Sequence, residues 1–326
     1  MKYRIIGDTE LSVSEIGFGA WTIGDDWWGH IDDDSATALL RSAFDLGINF
    51  FDTADGYGDG RSESLIGAAL GSNRDEIVLA TKFGYDKGDS GVDRARHQER
   101  PQNFSPPFIR DSLEDSLRRL GTDYVDLYQL HNPKMDALTR DDTFACLDDL
   151  QQAGKIRHYG VALGPRIGWR DEGARAIETR SIATIHMIFN LLEQVPGKEL
   201  IELGQNRGVA ALVRVPLSSG MLAGTYTSET SFGASQHRSH RDQSWLDDGL
   251  AAVEKLRFLE LDGARPLTTA ALKFVLSFDS VASVFPTITN SSELIEFASA
   301  PDVPDLTADE LARIDEIAAQ PTVSVN

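Results

Sequence analysis

The chain has 326 residues, of which 41% are hydrophobic and 25% charged, so it can bury a large core as one or two domains. Its formal net charge of −20 at pH 7 excludes DNA or an acidic membrane surface as a partner that it binds by charge. A single cysteine, Cys146, excludes an internal disulfide and is typical of a reducing compartment. We find neither a signal peptide nor a membrane-spanning apolar run, so we expect a cytoplasmic protein.

The first predicted element is a β-hairpin over residues 3–14. Apolar positions alternate in YRIIGDTELSVS on both sides of Gly7 and Asp8, a pair that is typical of tight turns. We expect this hairpin to close the bottom of the fold that follows.

After the hairpin, short apolar runs alternate with segments whose apolar residues recur at helical spacing. The runs predict strands at 15–19, 48–52, 77–82, 124–130, 156–162, 183–189, 209–215 and 281–286. The helical segments are about 35–46, 62–70, 107–120, 141–153, 172–179, 198–207, 247–260 and 268–278. This alternation predicts an α/β fold, a (β/α)8 TIM barrel with an N-terminal β-hairpin, which we expect to form a single domain over residues 1–326.

Four polar side chains stand at or just after the carboxyl ends of successive predicted strands. Asp52 and Tyr57 lie in FFDTADGYG, Lys82 ends IVLATK and His131 ends YVDLYQLH. In a parallel barrel these strand ends meet on the face where barrel enzymes carry their chemistry. Singly, such residues are usually caps, solvated lysines or core histidines. Together they predict a phenol acid whose pKa is lowered by an ammonium, with a carboxylate holding the ammonium and an imidazole orienting a carbonyl oxygen.

These motifs resemble those of the aldo-keto reductases, and the resemblance covers nearly the whole chain. The stretch FSPPFIRDSLEDSLRRLGTDYVDLYQLH (104–131) is similar to the family's signature from its third helix to its fourth strand. Further matching segments are GFGAWTIG (17–24), GKIRHYGVA (154–162) and VPLSSGMLAGTY (215–226).

The resemblance implies a catalytic tetrad of Asp52, Tyr57, Lys82 and His131. It implies an NAD(P)-dependent oxidoreductase in which a nicotinamide delivers hydride to a small aldehyde, ketone or sugar-like substrate, while Tyr57 protonates the carbonyl oxygen. The reverse direction would oxidise an alcohol. Neither the individual substrate nor the oligomeric state follows from the sequence.

The resemblance also implies that the cofactor, NADP or NAD, lies over the barrel mouth, with its pyrophosphate beneath the loop after the seventh strand. The residues that we expect to bind it are Trp21, Thr22, Asp52, His186, Arg214, Pro216, Leu217, Ser219, Gly220, Leu222, Arg238, Thr287, Thr289 and Glu293.

Several of these positions depart from the family pattern. Ala162 and Leu163 stand where Ser-Asn usually binds the nicotinamide carboxamide, His186 replaces a glutamine, and Arg214 replaces a stacking aromatic residue. Glu293 lies in the segment that often carries cations for a 2′-phosphate, so we expect weak preference for NADPH or use of NADH. The departures leave two alternatives open: a nucleotide-binding sensor with little turnover, and a sugar epimerase or lyase that keeps its cofactor bound.

We expect the loops that follow the strands to form the substrate pocket. The residues that we expect to line it are Trp21, Trp27, Trp28, Tyr57, Phe83 and His131. It is equally consistent with the sequence that one or two of the tryptophans pack beneath their loop. His237 and His240 have the spacing of metal ligands, but without an evident third ligand the sequence predicts no metal site.

Overall fold

The computed structural model describes residues 1–86, 88, 99–164, 169–233, 238 and 241–319. Its strands are β1 (Tyr3–Ile5), β2 (Ser12–Ser14), β3 (Phe18–Gly19), β4 (Phe50–Asp52), β5 (Val78–Phe83), β6 (Val125–His131), β7 (Ile156–Ala162), β8 (Thr184–Ile188), β9 (Ala210–Arg214) and β10 (Val281–Phe285). Its α-helices are α1 (Trp21–Gly24), α2 (Asp33–Asp45), α3 (Arg61–Leu70), α4 (Pro106–Leu120), α5 (Met135–Leu138), α6 (Asp141–Gln152), α7 (Arg170–Thr179), α8 (Gly197–Gln205), α9 (Gln243–Lys255), α10 (Leu267–Leu276), α11 (Ser291–Ala298) and α12 (Ala308–Ala318).

Strands β3 to β10 form one parallel sheet in which neighbours in sequence are neighbours in space. The two edges of this sheet meet through a parallel bridge between Ile16 and Val284. At this seam the Gly17 amide donates to Val284 O at 2.9 Å, and the Val284 amide donates to Glu15 O at 2.9 Å. The sheet is therefore closed into the (β/α)8 barrel that the sequence predicts.

The hairpin of β1 and β2 closes the bottom of the barrel, also as predicted. Its strands are antiparallel, with Tyr3 opposite Ser14. The hairpin buries Ile6, Leu11 and Val13 in one cluster with residues at the amino-terminal ends of the barrel strands. Water is thus excluded from the end of the barrel opposite the predicted site.

All eight predicted helices are present, in the predicted order between the strands. The predicted helices 247–260 and 268–278 correspond to α9 and α10, and both lie between β9 and β10. The helix that follows the last strand is α11, which the sequence reading missed because its eight residues give little room for a periodic pattern. Its start is fixed by Asn290, whose side chain accepts the Glu293 amide. Within the described residues, the helices are all too short or too polar to cross a membrane.

Alternation along the strands decides which side chains enter the barrel. In β4, Phe50 packs inside the barrel with the hairpin cluster, whereas Phe51 packs outward among the helices. Asp52, two residues after Phe50, therefore points inward above the apolar layer. The same parity brings Lys82 of β5 and Gln129 of β6 into this polar layer, next to Asp52.

Candidate active site

The ammonium group of Lys82 lies at the centre of the candidate site, at the carboxyl end of β5. Its side chain is 2% exposed and donates to the Asp52 carboxylate, to Thr53 O at 2.8 Å and to the Tyr57 hydroxyl at 3.2 Å. Gln129 Nε2 donates to Asp52 Oδ2 at 2.9 Å. The carboxylate is held from two sides, so the Lys82 ammonium is fixed against the phenol.

Tyr57 reaches this ammonium because the chain turns sharply after β4. It begins a short 3-10 turn, Tyr57–Gly60, in which Gly58 has φ 58° and Gly60 has φ 97°. Both values lie in the left-handed region, which glycine enters without strain. A Cβ atom on Gly58 would lie 2.3 Å from Gly24 O, so the turn packs closely against the end of α1 and aims the Tyr57 ring inward.

His131, the last residue of β6, completes the group. Its ring stands nearly perpendicular to that of Tyr57, with 5.8 Å between ring centroids. Its buried Nδ1 has no hydrogen-bond partner among the described residues. The structure thus brings together the four residues that the sequence singled out: Asp52, Tyr57, Lys82 and His131.

Burial dominates the protonation of the group. It raises the pKa of Tyr57 by more than the Lys82 ammonium lowers it, so the net direction is opposite to the lowered pKa expected from Lys82 alone. Burial would lower the pKa of Lys82, but Asp52 and Tyr57 outweigh it and the pKa of Lys82 is raised. Burial, assisted by Lys82 and Arg214, holds the pKa of His131 well below its usual value. At neutral pH the site therefore contains a protonated phenol, an ammonium and a neutral imidazole.

These groups open into a cavity of about 690 Å³ at the mouth of the barrel. The residues expected from the sequence that line it are Trp21, Thr22, Trp27, Trp28, Asp52, Tyr57, Lys82, His131, His186, Arg214 and Thr287. Trp21 lies between Tyr57 and the other tryptophans of the lining. Its ring centroid is 6.4 Å from that of Tyr57 and 6.0 Å from that of Trp27.

Phe83 does not line the cavity, and its predicted place in the substrate pocket is wrong. It follows the inward-facing Lys82, so alternation turns it outward. Its fully buried ring stacks on Tyr128 at 4.4 Å and contacts Phe104.

His186 in β8 and Arg214 at the end of β9 also line the cavity. Neither ring nitrogen of His186 has a hydrogen-bond partner in the described chain, and Nδ1 is 3.8 Å from Asp52 Oδ2. Burial, followed by the charges of Lys82 and Arg214, holds the pKa of His186 well below its usual value. Arg214 Nη2 donates to Leu163 O at 2.6 Å and to Gly164 O at 3.0 Å, which anchors the guanidinium at the cavity wall.

The loop after β9 carries five of the predicted cofactor residues: Pro216, Leu217, Ser219, Gly220 and Leu222. The side chains of Leu217 and Leu222 are buried in the core, so only their backbones can meet a ligand. Val215, at the start of this loop, has φ 57°, an outlier for a β-branched residue. Asn190 Nδ2 donates to Val215 O at 3.0 Å and holds the turn in place.

Arg238, Thr289 and Glu293 do not line the cavity. The Arg238 guanidinium lies 4.5 Å from the Trp28 ring and donates to the Tyr226 hydroxyl. Glu293 Oε2 accepts the backbone amide and the hydroxyl of Thr289, each at 2.7 Å. In this arrangement the Glu293 carboxylate, in the first turn of α11, is engaged by the residue that precedes the helix N-cap. His237 and His240 lie outside the described residues.

The sequence reading missed several residues of the site. The additional cavity-lining residues include Asp25, Glu99, Arg100, Asn132, Lys134 and Trp169. Gln129, beneath the cavity, is a second side-chain hydrogen-bond donor to Asp52. Gln129 had a readable signal, because it is a polar residue two positions before His131 and so lies on the same face of the strand. The others come from loops, whose course the sequence does not indicate.

Comparison with known proteins shows which family the chain is similar to. The sequence profile described as "Aldo/keto reductase family" matches residues 15–319. Aldo-keto reductase YhdN of Bacillus subtilis (strain 168) is 34% identical over 247 residues, 74% of this chain and 69% of that protein. An NADH-specific methylglyoxal reductase of Escherichia coli (strain K12) is 28% identical over 310 residues, 92% of this chain and 93% of that protein.

Among solved structures, the holo form of aldo-keto reductase AKR11C1 from Bacillus halodurans is similar, with a TM-score of 0.79 at 31% identity. The match covers 97% of this chain and 96% of that one. The family profile spans more than nine-tenths of the sequence, and the eight-stranded barrel carries the expected residues at its mouth. The chain therefore belongs to the aldo/keto reductase family.

Proposed function

We propose that this protein is a nicotinamide-dependent reductase that interconverts an aldehyde, ketone or sugar-like carbonyl compound with its alcohol, using Tyr57 as general acid and base. The observation that carries the proposal is the Lys82 ammonium, held by Asp52 and 3.2 Å from the Tyr57 hydroxyl in a buried site open to a cavity. A carbonyl oxygen beside Tyr57 takes its proton, and the adjacent ammonium stabilises the phenolate that remains.

His131 has a separate task in this proposal. Because burial keeps its imidazole neutral, one ring nitrogen carries a proton and can donate it as a hydrogen bond to the carbonyl oxygen. That bond would fix the oxygen near both Tyr57 and His131 without adding a second positive charge next to Lys82. The Tyr57 proton is then the one that is transferred.

The cavity suits a nicotinamide dinucleotide, which supplies the hydride when bound. Its volume of about 690 Å³ lies within the range of cofactor sites. The unpartnered, neutral His186 calls for a group with both a donor and an acceptor, and a carboxamide is such a group. We expect His186, Arg214, Trp21 and Thr22 to hold the nicotinamide end, and the backbone of the loop after β9 to meet the phosphates.

We further expect either NADH use or only a weak preference for NADPH. The similarity to an NADH-specific reductase agrees with this, and the Glu293 carboxylate would repel a 2′-phosphate that approached it. Arg238 is a cation that could instead favour NADPH by binding the 2′-phosphate. Its guanidinium, however, is engaged with Trp28 and Tyr226.

The test is steady-state turnover of added NADH and NADPH with a panel of aldehydes, ketones and aldoses, followed by the absorbance of the reduced nicotinamide. Sustained oxidation of added cofactor that requires a carbonyl supports the proposal. A protein that binds nucleotide but turns over no carbonyl in either direction would instead be a sensor. One that converts a sugar while its bound cofactor shows no net change would be an epimerase or lyase.

A further inference from the structure

One wall of the cavity is a continuous polar chain that begins next to His131. The Tyr85 ring packs edge-on against His131, with 5.0 Å between centroids. Asn132 Nδ2 donates to the Tyr85 hydroxyl at 2.6 Å, and that hydroxyl donates to Glu99 Oε1 at 3.0 Å. Lys134 Nζ pairs with Glu99 Oε2 at 3.0 Å. Together these residues, Tyr85, Glu99, Asn132 and Lys134, are called the polar wall below, and all four line the cavity.

The polar wall is rigidly placed at its inner end. Asn132 has φ 52°, a left-handed conformation that asparagine adopts more readily than most residues. Gln102 Nε2 donates to Asn132 O at 2.8 Å, and the Asn132 amide donates to Ala162 O at 2.7 Å. The side-chain amide is therefore set beside the reacting centre by backbone contacts on both sides. Its carboxamide oxygen receives no hydrogen bond from the residues that the structure describes, which leaves an acceptor at the cavity wall.

Another part of the cavity lining is aromatic. Trp21, Trp27 and Trp28 pack together, with Trp21 at 6.0 Å from Trp27 and 5.9 Å from Trp28 between centroids. Indole faces accommodate apolar surface, and the C–H face of a carbon chain is apolar even when that chain carries hydroxyl groups at its edge. A ligand in this cavity thus has both an apolar surface and hydrogen-bonding groups within the same lining.

Charge at the rim favours a neutral ligand. Among the residues that the structure describes, two cations of the cavity lining are paired with carboxylates: Lys134 with Glu99 at 3.0 Å, and Arg100 with Asp59 at 2.7 Å. A phosphate or carboxylate on the substrate would have to compete with these carboxylates. The chain's net charge of −20 adds to this repulsion.

Resting on the proposed function, we propose that the substrates are short, neutral, polyhydroxylated aldehydes or ketones, whose hydroxyl groups bind Asn132 and Tyr85 while their carbon chain packs on the tryptophans. An alkyl aldehyde of the same length would displace water from the polar wall without replacing its hydrogen bonds. The polar wall therefore sets specificity, and Asn132 and Tyr85 are specificity-determining residues outside the tetrad.

The experiment compares kcat/KM for glyceraldehyde and for propanal, which has the same chain length without the hydroxyl groups. A hydroxylated aldehyde is intrinsically more electrophilic than an alkyl aldehyde. The ratio of kcat/KM for glyceraldehyde to that for propanal in the wild type therefore serves only as the reference for the variants. The variants are Tyr85→Phe, which removes one hydroxyl group, and Asn132→Gly, which removes the amide and tolerates the positive φ. Tyr3→Phe is the matched control, because the Tyr3 hydroxyl donates to Gly47 O at the bottom of the barrel.

We expect the glyceraldehyde-to-propanal ratio to fall about tenfold in Asn132→Gly and about three- to tenfold in Tyr85→Phe, as for the loss of one or two hydrogen bonds. Propanal reduction should change much less, and Tyr3→Phe should keep the wild-type ratio. An active enzyme whose ratio is unchanged in both variants overturns the inference and leaves the proposed function standing. So does an equal loss of both activities, which would mean that the polar wall only supports the fold. A wild type that reduces no carbonyl at all contradicts the proposed function itself.

Discussion

Asp52 and Lys82, thirty residues apart in sequence, form a buried ion pair directly beneath the Tyr57 hydroxyl. The pair exists because β4 and β5 are adjacent parallel strands with Asp52 in register with Ala80. Lys82, two residues further along β5, lies on the same inward face, just beyond the level at which β4 ends. The ionic centre of the site is thus part of the barrel wall.

Removing the Tyr57 hydroxyl should abolish proton transfer and leave binding intact. We expect Tyr57→Phe to lower the rate of carbonyl reduction by about 10²–10⁴-fold, the usual loss for a general acid. Cofactor affinity, followed by quenching of tryptophan fluorescence, should stay within a factor of a few. Tyr128→Phe is a suitable control, because the Tyr128 hydroxyl contacts Ile109 O in the outer core. More than a tenth of the wild-type rate in Tyr57→Phe would remove Tyr57 from the mechanism.

Breaking the ion pair from one side should cost stability as well as activity. Lys82→Met leaves the Asp52 carboxylate buried with Gln129 as its remaining side-chain donor, and we expect a loss of about 3–5 kcal/mol in the free energy of unfolding. The double variant Asp52→Asn/Lys82→Met removes the uncompensated charge and should recover most of that loss without recovering activity. Urea unfolding of the three proteins measures this. A single variant as stable as the wild type would show that water reaches Asp52.

Stability should fall in mild acid because two histidines are buried in their neutral form. The pKa of His131 and that of His186 are lowered in the folded protein, chiefly by burial and then by Lys82 and Arg214. A lowered histidine pKa contributes stability that is fully present above about pH 6.5 and is lost as the pH falls below it, because only the unfolded chain takes up the proton. Each histidine should add up to about 1.4 kcal/mol per pH unit to this slope.

Urea unfolding between neutral pH and mild acid, for the wild type and for His186→Gln, checks the slope. The variant should lose less stability on acidification than the wild type. His30→Gln, which replaces a histidine at the surface, serves as the control. Equal slopes in the wild type and in His186→Gln would mean that His186 is protonated in the folded protein.

Cofactor preference is measured by kcat/KM for NADH and NADPH with one carbonyl substrate. We expect a preference for NADPH that is well below 100-fold, or a preference for NADH. Glu293→Gln should shift the ratio towards NADPH, because the amide no longer repels a phosphate. A wild-type preference for NADPH of 100-fold, about 2.7 kcal/mol at about 1.36 kcal/mol per tenfold, would contradict this reading of Glu293.

The sequence by itself determined the barrel and the identity of its central residues. Apolar runs of strand length alternating with helical periodicity leave few other folds, and a polar residue at a strand end has one face of the barrel to occupy. Asp52, Lys82 and His131 could therefore be assigned to this face of the barrel from the sequence alone. Glu99 and Lys134 could not, because they lie on loops whose course depends on packing rather than on periodicity.

Only the tertiary structure decided in which direction each side chain points and how deeply it is buried. Lys82 and Phe83 are adjacent, yet one enters the cavity and the other the outer core, because the register of β5 against β4 fixes which side chain faces inward. The tertiary structure also decided whether the pKa of Tyr57 is raised or lowered. The charge of Lys82 is visible in the sequence, whereas the removal of water from the phenol is a property of the closed barrel. Charge and periodicity are local and can be read from the chain, but desolvation depends on what every other segment covers.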